Sequence, residues 1–300
     1  MMKVLVCDKT EKECIEEMRA AGLTVDTNFE ITPEDLMTTL PAYDVAVVRS
    51  RTKIRQPLID VCPNLKLIVR GGVGLDTIDV EYARGKGVTV KNTPLASSDS
   101  VAELAIGYMF MMARSLYKAS ETMKAEKWEK KAFNGDEIGG KTLGLIGVGN
   151  IGKATARRAA ALGMTVVAYD PFVKELAEAK LVSLDELLAQ ADYISLHLPK
   201  TKESANMIGA EQFAKMKDGV RIINCARGGI INEDALYEAL TSGKVAAAAL
   251  DVFVEEPPTD WKLLKLDNVI GSPHIGAATK EGQGRVGAEV AQIVIDFAKK

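Results

Sequence analysis

The amino-acid sequence predicts an α/β protein built on two doubly wound parallel sheets. Apolar strand candidates alternate with helical stretches, and this alternation is typical of parallel sheets joined by crossover helices. The alternation forms two runs, and a glycine-rich turn at residues 147–152 (GVGNIG) lies at the start of the second run. With 300 residues, of which 47% are hydrophobic, the chain is long enough to bury two cores, so we expect two domains.

The first run covers roughly residues 1–92, with helical stretches such as residues 11–21 between its strands. Its strand candidates are residues 3–8 (KVLVCD), 44–50 (DVAVVRS), 65–72 (LKLIVRGG) and 87–92 (GVTVKN). Residues 97–128 then predict one long helix, and Ser100 and Glu103 have the spacing of a capping box at its start. We expect the methionines of this helix in a core or at a subunit interface.

The second run contains six strand candidates, which is the full count of a doubly wound dinucleotide-binding fold. They are residues 142–147 (TLGLIG), 165–170 (TVVAYD), 192–197 (DYISLH), 221–226 (RIINCA), 246–251 (AAAALD) and 268–272 (NVIGS). Ligands of such sheets bind beyond the carboxyl ends of the strands, so the residues after each strand are the candidates for function. Those residues are Gly147, Asp170, His197, Arg227, Asp251 with Glu256, and His274.

Composition excludes several classes of function. The net charge of -3 leaves no basic excess, so we expect no nucleic-acid partner. Residues 104–113 form the longest apolar stretch, which is too short to cross a bilayer, and the chain opens without a cleavable apolar segment, so we expect a cytoplasmic protein without a membrane partner. The four cysteines lack CxxC spacing and only two histidines occur, so we expect neither a metal site nor disulfides. Cys7, Cys14 and Cys62 are expected to be buried.

The glycine-rich turn predicts a dinucleotide site. Gly147, Gly149 and Gly152 follow a strand and open a helix, so the backbone can approach a pyrophosphate at the partly positive helix N-terminus. Asp170 ends the next strand at about the distance expected of an acid that binds the adenosine ribose, and it would repel a 2'-phosphate. The alternative is that Asp170 merely starts a turn before Pro171.

Arg227, Glu256 and His274 follow three consecutive strands and can converge on one site. Hydride transfer at a carbon that bears a hydroxyl needs a group to hold a carboxylate, an acid–base imidazole and an acid to orient that imidazole. The three residues match these roles in that order. The alternatives are a structural histidine and a solvated loop glutamate.

These residues and their surroundings resemble the D-2-hydroxyacid dehydrogenase family, and within it the phosphoglycerate dehydrogenases in particular. The similar blocks are IGVGNIG, LHLP, NCARGGIINEDAL, ALDVFVEEPP and NVIGSPHIGAAT, with RGGVGLDTID and VKNTPLASSDSVAEL in the first half. The resemblance implies that Arg227, Glu256 and His274 are catalytic. It further implies that NAD is bound by Gly147, Gly149, Asn150, Ile151, Gly152, Asp170, His197, Pro199, Cys225, Ala226 and Asp251.

The resemblance also implies the domain arrangement. It implies a Rossmann cofactor domain (98–279) inserted into a flavodoxin-like substrate domain (1–97 plus 280–300). We also expect a homodimer. The chain stops at Lys300, so we expect no C-terminal regulatory domain and no serine feedback through one.

Substrate contacts are expected in the first domain. Arg49, Arg51 and Arg70 follow two of its strands and would form a cationic rim suited to a phosphorylated hydroxyacid. The RSRT block resembles the phosphate-contacting stretch of phosphoglycerate dehydrogenases, and backbone amides around Val73 and Gly74 would hold the substrate carboxylate. Which arginine contacts phosphate stays open, and arginines that simply solvate a loop are the alternative.

Three functions follow from the sequence. The first is NAD-dependent oxidation of 3-phosphoglycerate to 3-phosphohydroxypyruvate, a step of serine biosynthesis. The second is reduction of glyoxylate, hydroxypyruvate or another 2-hydroxyacid precursor on the same scaffold. The third is a non-enzymatic NAD-sensing module, which would not need the acid–base pair of Glu256 and His274.

Overall fold

The computed structural model describes residues 1–300, and the chain divides into two compact units. Unit 1 comprises Met1–Ser98 and Ala277–Lys300, and unit 2 comprises Asp99–Gly276. Each unit contains one parallel sheet with helices packed against it, so the predicted fold class, two doubly wound parallel sheets, is confirmed. No helix is both long and apolar enough to span a membrane.

The chain contains twelve strands and eleven α-helices. The strands are β1 (Lys3–Val6), β2 (Thr24–Thr27), β3 (Val45–Val48), β4 (Leu67–Arg70), β5 (Thr89–Asn92), β6 (Thr142–Ile146), β7 (Thr165–Tyr169), β8 (Lys180–Leu181), β9 (Tyr193–Leu196), β10 (Val220–Asn224), β11 (Val245–Leu250) and β12 (Val269–Gly271). The helices are α1 (Lys12–Ala20), α2 (Pro33–Thr39), α3 (Gln56–Asp60), α4 (Val80–Gly85), α5 (Ser98–Arg114), α6 (Leu116–Lys124), α7 (Asn150–Ala161), α8 (Leu184–Gln190), α9 (Ala210–Lys215), α10 (Glu233–Thr241) and α11 (Lys280–Ala298).

Unit 1 has the strand order β2-β1-β3-β4-β5, which is the order of flavodoxin-like sheets. The sequence predicted four of these strands and missed β2. This strand lies at the sheet edge, and only Val25 of its four residues is buried, so it lacks the apolar run that marks the other strands. Edge strands are short and polar in many proteins, which makes them hard to recognise by pattern.

Both faces of the unit 1 sheet are buried, because successive strand residues point to opposite sides. Val4 and Val6 pack on one face, and Leu5 and Cys7 pack on the other. The C-terminal helix α11 covers the first face through its buried valines, including Val290. The end of the chain therefore returns to the sheet that the start of the chain builds.

Unit 2 has the strand order β12-β11-β10-β9-β6-β7-β8. Counted from β6, this is the order 3-2-1-4-5-6 of dinucleotide-binding sheets with one further strand, β12, beside β11. The sequence predicted six strands, whereas the sheet has seven. The missed strand is β8, which is two residues long and therefore too short to show any periodicity.

The predicted long helix is two helices. Ser115 has a left-handed backbone (φ 47°), which ends α5 and separates it from α6. Helix α5 begins at Ser98, so Ser100 lies inside its first turn and is not the predicted N-cap. Met109 is fully buried, as expected of a core methionine. Cys7, Cys14 and Cys62 are buried as predicted, and so is Cys225.

Candidate active site

The glycine-rich turn between β6 and α7 has the shape that its sequence predicts. Gly147 has φ 90°, and a Cβ added to it would lie 2.5 Å from the carbonyl oxygen of His197. A Cβ on Gly152 would lie 2.3 Å from the carbonyl oxygen of Gly147. A Cβ on Gly149 would meet no atom within 4 Å. Two glycines therefore allow the turn to close, while Gly149 keeps its outer side open.

The N-terminus of α7 lies behind this open side. Gly149 is the N-cap residue and cannot cap the helix with a side chain, and the helix continues for 12 residues. Helix N-termini without a capping side chain present backbone N–H groups and a partial positive charge, which together favour an anion. The open side and the uncapped helix fit the pyrophosphate of a dinucleotide. Asn150 and Ile151, predicted as cofactor contacts, begin this helix.

Asp170 follows β7 and supports the glycine-rich turn. One carboxylate oxygen accepts a hydrogen bond from the amide of Val148 (2.9 Å), and the other accepts one from the amide of Phe172 (2.9 Å). The second bond is the turn before Pro171 that was the alternative function of this residue. Each carboxylate oxygen can accept more than one hydrogen bond, so the local role leaves capacity for a ribose hydroxyl.

His197 is buried, and its backbone packs against the glycine-rich turn at Gly147. Its Nε2 lies 2.9 Å from Oγ of Ser195, and burial lowers the pKa of His197 to about 4. The imidazole is therefore neutral near pH 7. Pro199, two residues further on, accepts a hydrogen bond at its carbonyl from Oγ of Ser204 (2.8 Å). The backbone of His197 lies directly beside Gly147.

His274 and Glu256 form a direct pair, as the sequence predicts for an acid–base histidine and its partner. Nδ1 of His274 lies 2.7 Å from a carboxylate oxygen of Glu256, and both side chains are partly exposed. Partial burial raises the pKa of Glu256, but the hydrogen bond and charge of His274, the amide of Phe253 and the charge of Arg227 outweigh it, so that the pKa is lowered overall. Glu256 is therefore ionised at neutral pH.

Arg227 is carried by a turn that Asn224 organises at the end of β10. The side chain of Asn224 accepts from the amide of Ala226 (3.0 Å) and donates to the carbonyl of Arg227 (3.0 Å). Sequence analysis missed Asn224, although an asparagine that ends a buried strand is a recognisable turn residue. Burial raises the pKa of Cys225, with a further contribution from Asp251, so its thiol stays protonated.

Asp251 holds the loop that carries His274. Its buried carboxylate accepts hydrogen bonds from the amides of Ile275 (2.8 Å) and Gly276 (2.7 Å) and from the hydroxyl of Ser272. His274 lies between these anchors with φ 53°, a backbone conformation that few non-glycine residues adopt. The resemblance implies that Asp251 lines the cofactor, and the structure adds that it ties down the histidine loop.

In unit 1, Asp8 organises the loop formed by residues 49–52 (RSRT). Its buried carboxylate accepts from the amides of Arg49 (2.5 Å) and Thr52 (3.2 Å) and from the hydroxyl of Thr52 (2.7 Å). Nε of Arg51 donates to the same carboxylate (3.1 Å), and its two Nη atoms donate to the carbonyls of Cys7 (2.6 Å) and Ile31 (3.0 Å). Arg49 makes a longer side-chain bond, to the carbonyl of Lys9 (3.3 Å). Arg51 is thus bound within its own unit more fully than Arg49.

The loop after β4 explains why Gly72 is a glycine. Gly72 has φ 140°, and a Cβ added to it would lie 1.7 Å from Nη1 of Arg70. The amide of Gly72 donates to Oγ1 of Thr93 (2.7 Å). The carbonyl of Val73 accepts from Nδ2 of Asn92 (2.5 Å). The strand that follows therefore holds the loop that contains Val73 and Gly74.

The doubly wound sheet, the glycine-rich turn and the paired acid and imidazole of unit 2 define a dinucleotide-dependent α/β protein. Residues 106–276 match the sequence model of the D-isomer specific 2-hydroxyacid dehydrogenase, NAD binding domain. The chain belongs to the D-isomer specific 2-hydroxyacid dehydrogenase family, as the sequence motifs predict, and the cofactor of this family is NAD.

Two relatives and one solved structure illustrate the similarity. The chain is 49% identical over 303 residues to a D-3-phosphoglycerate dehydrogenase of Archaeoglobus fulgidus, with 99% of this chain and 58% of that protein covered. It is 50% identical over 294 residues to a hydroxypyruvate reductase of Thermotoga maritima, with 97% and 96% covered. A crystal structure of D-lactate dehydrogenase from Aquifex aeolicus, complexed with NAD and lactic acid, superimposes with a TM-score of 0.87 at 32% identity, with 99% of this chain and 95% of that chain covered. The chain thus spans little more than half the length of the first relative and almost all of the second.

Proposed function

We propose that the chain oxidises 3-phosphoglycerate to 3-phosphohydroxypyruvate with NAD, a reaction of serine biosynthesis. The observation that carries the dehydrogenase activity is the 2.7 Å contact between Nδ1 of His274 and Glu256, a carboxylate whose pKa the charge of Arg227 helps to lower. A pure NAD-binding module has no use for an ionised carboxylate that orients an imidazole. The relative of Archaeoglobus fulgidus carries the name of this activity.

The cofactor site of the proposal is the glycine-rich turn. Gly147, Gly149 and Gly152 with the first residues of α7, Asn150 and Ile151, would hold the pyrophosphate, and Asp170 would accept hydrogen bonds from the ribose. His197, Pro199, Cys225, Ala226 and Asp251 would form the surrounding wall. When bound, NAD supplies the carbon that accepts hydride from the substrate.

The residues of the chain supply the proton chemistry. Nδ1 of His274 is engaged in the hydrogen bond with Glu256, so Nε2 is the nitrogen that takes the hydroxyl proton of the substrate in oxidation. In reduction the same nitrogen donates a proton, and the carboxylate of Glu256 stabilises the imidazolium that must be present. Arg227 would hold the substrate carboxylate and the developing carbonyl through its planar fork.

Unit 1 is proposed as the substrate-binding domain (1–97 plus 280–300) and unit 2 as the NAD-binding domain (98–279). Among the candidate arginines, Arg49 is better suited than Arg51 to bind phosphate, because three donors of Arg51 already have partners inside unit 1. Arg70 is a further candidate, and the backbone of Val73 and Gly74 would hold the substrate carboxylate.

A second candidate function is the reduction of hydroxypyruvate or glyoxylate. The observation that favours it is the 50% identity to the hydroxypyruvate reductase of Thermotoga maritima, which this chain covers over 96% of its length. The two functions use the same acid–base pair and differ in whether the substrate bears a phosphate. The arginines of unit 1 are therefore the residues that distinguish them.

A steady-state screen tests the proposal. We expect kcat/KM to be highest for 3-phosphoglycerate among 3-phosphoglycerate, D-glycerate and D-lactate, and higher with NAD than with NADP.

Arg49→Ala should weaken binding of 3-phosphoglycerate by roughly ten- to a hundredfold, because a charged hydrogen bond is lost, and should leave binding of D-glycerate almost unaffected. His274→Ala should lower kcat by on the order of a hundredfold or more. Faster turnover of D-glycerate than of 3-phosphoglycerate would favour the second function, and full activity of His274→Ala would contradict both.

We also propose a cytoplasmic homodimer. The four buried free thiols agree with a reducing compartment. Leu116 and Met123 of α6 and the nearby Trp128 are exposed apolar side chains, which offer a surface for a second copy. Light scattering during gel filtration should give twice the mass of one chain, and Met123→Lys should lower it; a single-chain mass for the unaltered protein would contradict the proposal.

A further inference from the structure

The turn that carries Glu256 has few anchors of its own. Residues 252–258 follow β11 without helix or strand. Val252 is buried and Phe253 packs on the core of unit 2, whereas Val254 and Glu255 in the middle of this segment are exposed. The part of the loop with exposed side chains must be held by hydrogen bonds of its backbone, or it opens locally. The position of Glu256 relative to His274 depends on these bonds.

Two neighbouring amides of the loop donate to two different carboxylates. The amide of Phe253 donates to Glu256 itself (3.2 Å), which closes the turn locally. The amide of Val254 donates to Oε1 of Glu233 (2.9 Å), the first residue of α10. The second bond joins the loop to a different element, 21 residues earlier in the chain.

Helix α10, which carries Glu233, is fixed by an N-cap hydrogen bond and by buried side chains. Its N-cap Asn232 accepts a hydrogen bond from the amide of Ala235 (2.9 Å), and Leu236 and Leu240 are buried in the core of unit 2. An acidic side chain in the first turn of a helix also interacts favourably with the helix dipole. The carboxylate of Glu233 is therefore held in place independently of the loop that it binds.

The same loop contacts the turn that carries Arg227. A Cβ on Gly228 would lie 1.8 Å from the carbonyl oxygen of Phe253, so the two backbones touch where only glycine fits. Gly228 follows Arg227 directly, and the connection from β10 to α10 ends at Glu233. One short connection thus carries Arg227 and binds the loop of Glu256 at two places.

We propose that Glu233 is a positioning residue, which holds the loop of Glu256 so that its carboxylate meets Nδ1 of His274. Glu233 acts through Glu256 and touches neither substrate nor cofactor. Its role in catalysis rests on the proposed function, whereas its role in holding the loop does not.

Four variants test this inference. Glu233→Ala removes the acceptor, Glu233→Asp shortens it by one methylene, and Glu233→Gln keeps an acceptor oxygen. Asp234→Asn is the matched control, because Asp234 is the next residue and pairs with Lys262 instead of the loop. We expect kcat for hydroxypyruvate reduction by NADH to fall about tenfold in Glu233→Ala and Glu233→Asp, because small misplacements of catalytic groups lower kcat. In Glu233→Gln and Asp234→Asn, kcat should stay within about twofold of the unaltered chain.

A comparison of kcat with KM and a double variant separate positioning from a general structural effect. Loss of the Glu256 contact affects the proton-transfer step and not substrate binding, so kcat should fall in Glu233→Ala while KM stays almost unchanged, as it should in Glu256→Gln. The double variant should lose no more activity than Glu256→Gln alone, because residues that act through one another are not additive. A rise of KM in place of a fall of kcat, or additive losses, would overturn the inference.

Hydrogen exchange supplies a readout that needs no activity. The amide of Val254 should exchange faster in Glu233→Ala than in the unaltered chain or in Asp234→Asn, because its acceptor is lost. If the unaltered chain turns over no 2-hydroxyacid, the proposed function fails, and this measurement still decides whether Glu233 holds the loop. Equal exchange in all of these proteins would overturn the positioning role whatever the activity.

Discussion

Individual buried polar residues explain how this chain arranges its candidate site. Asp8 is the clearest case, since its carboxylate accepts from two amides, one hydroxyl and the guanidinium of Arg51. Redirecting Arg51 to a ligand would take a donor away from this buried carboxylate, which costs free energy. Arg51, one of the two arginines of the RSRT block, is therefore bound to its own unit.

His197 is a single residue with a measurable effect on stability. Burial lowers its pKa to about 4 in the folded chain, whereas an unfolded histidine has a pKa of about 6.5. Below about pH 6.5 the unfolded chain takes up a proton that the folded chain does not, so the free energy of unfolding falls as the pH falls towards 4. We expect His197 to account for a loss of about 2 kcal/mol between about pH 7 and about pH 5.

Denaturant unfolding of the unaltered chain and of His197→Gln at several pH values checks this expectation. Glutamine can still bond to Ser195 but does not titrate, so its stability should vary less over this range. Carboxylates titrate mainly at lower pH, which keeps their contribution small. Parallel curves for the two proteins would mean that the folded chain protonates His197 as easily as the unfolded chain does.

At the scale of elements, the β6–α7 connection separates the glycines that the fold needs from the glycine that a ligand needs. A Cβ on Gly152 would overlap the carbonyl oxygen of Gly147, whereas a Cβ on Gly149 would meet open space. We therefore expect Gly152→Ala to destabilise the chain by about 1–3 kcal/mol, as overpacking does. Gly149→Ala should change stability by no more than about 0.5 kcal/mol, like other exposed substitutions.

The same pair should behave in the opposite way towards NAD. A methyl group on Gly149 lies on the side from which a pyrophosphate would approach, so NAD affinity should fall on the order of tenfold or more although the fold is intact. Thermal unfolding and titration of NAD by calorimetry measure the two effects on each variant. Unchanged NAD affinity of Gly149→Ala would show that the pyrophosphate does not approach the helix here.

At the scale of the whole molecule, the chain begins and ends in unit 1 and builds unit 2 between. Helix α11 packs on the sheet of unit 1 through buried valines, so the first hundred residues need the last twenty or so to cover that sheet. The glycine-rich turn therefore occurs near the middle of the sequence and not near its start. Its late position follows from the insertion of one doubly wound sheet into another.

The sequence by itself determined the fold class, the family, the cofactor and the pairing of His274 with Glu256. The family follows from the resemblance of its motifs, and the rest follow from features that are local in the chain. Apolar periodicity marks the central strands, glycines mark the turn, and the ends of parallel strands bring consecutive loops to one edge. The same reasoning missed β2 and β8, because a polar edge strand and a two-residue strand have no periodicity to read.

Tertiary structure alone decided which polar groups hold the site together. Asp8 binds Arg51 across 43 residues of chain, Asp251 binds Gly276 across 25, and Glu233 binds Val254 across 21. A carboxylate looks the same in sequence whether it faces water, a ligand or a backbone amide. Its role depends on which donors folding brings within about 3 Å, because hydrogen bonds act only at that range, and those donors belong to other elements.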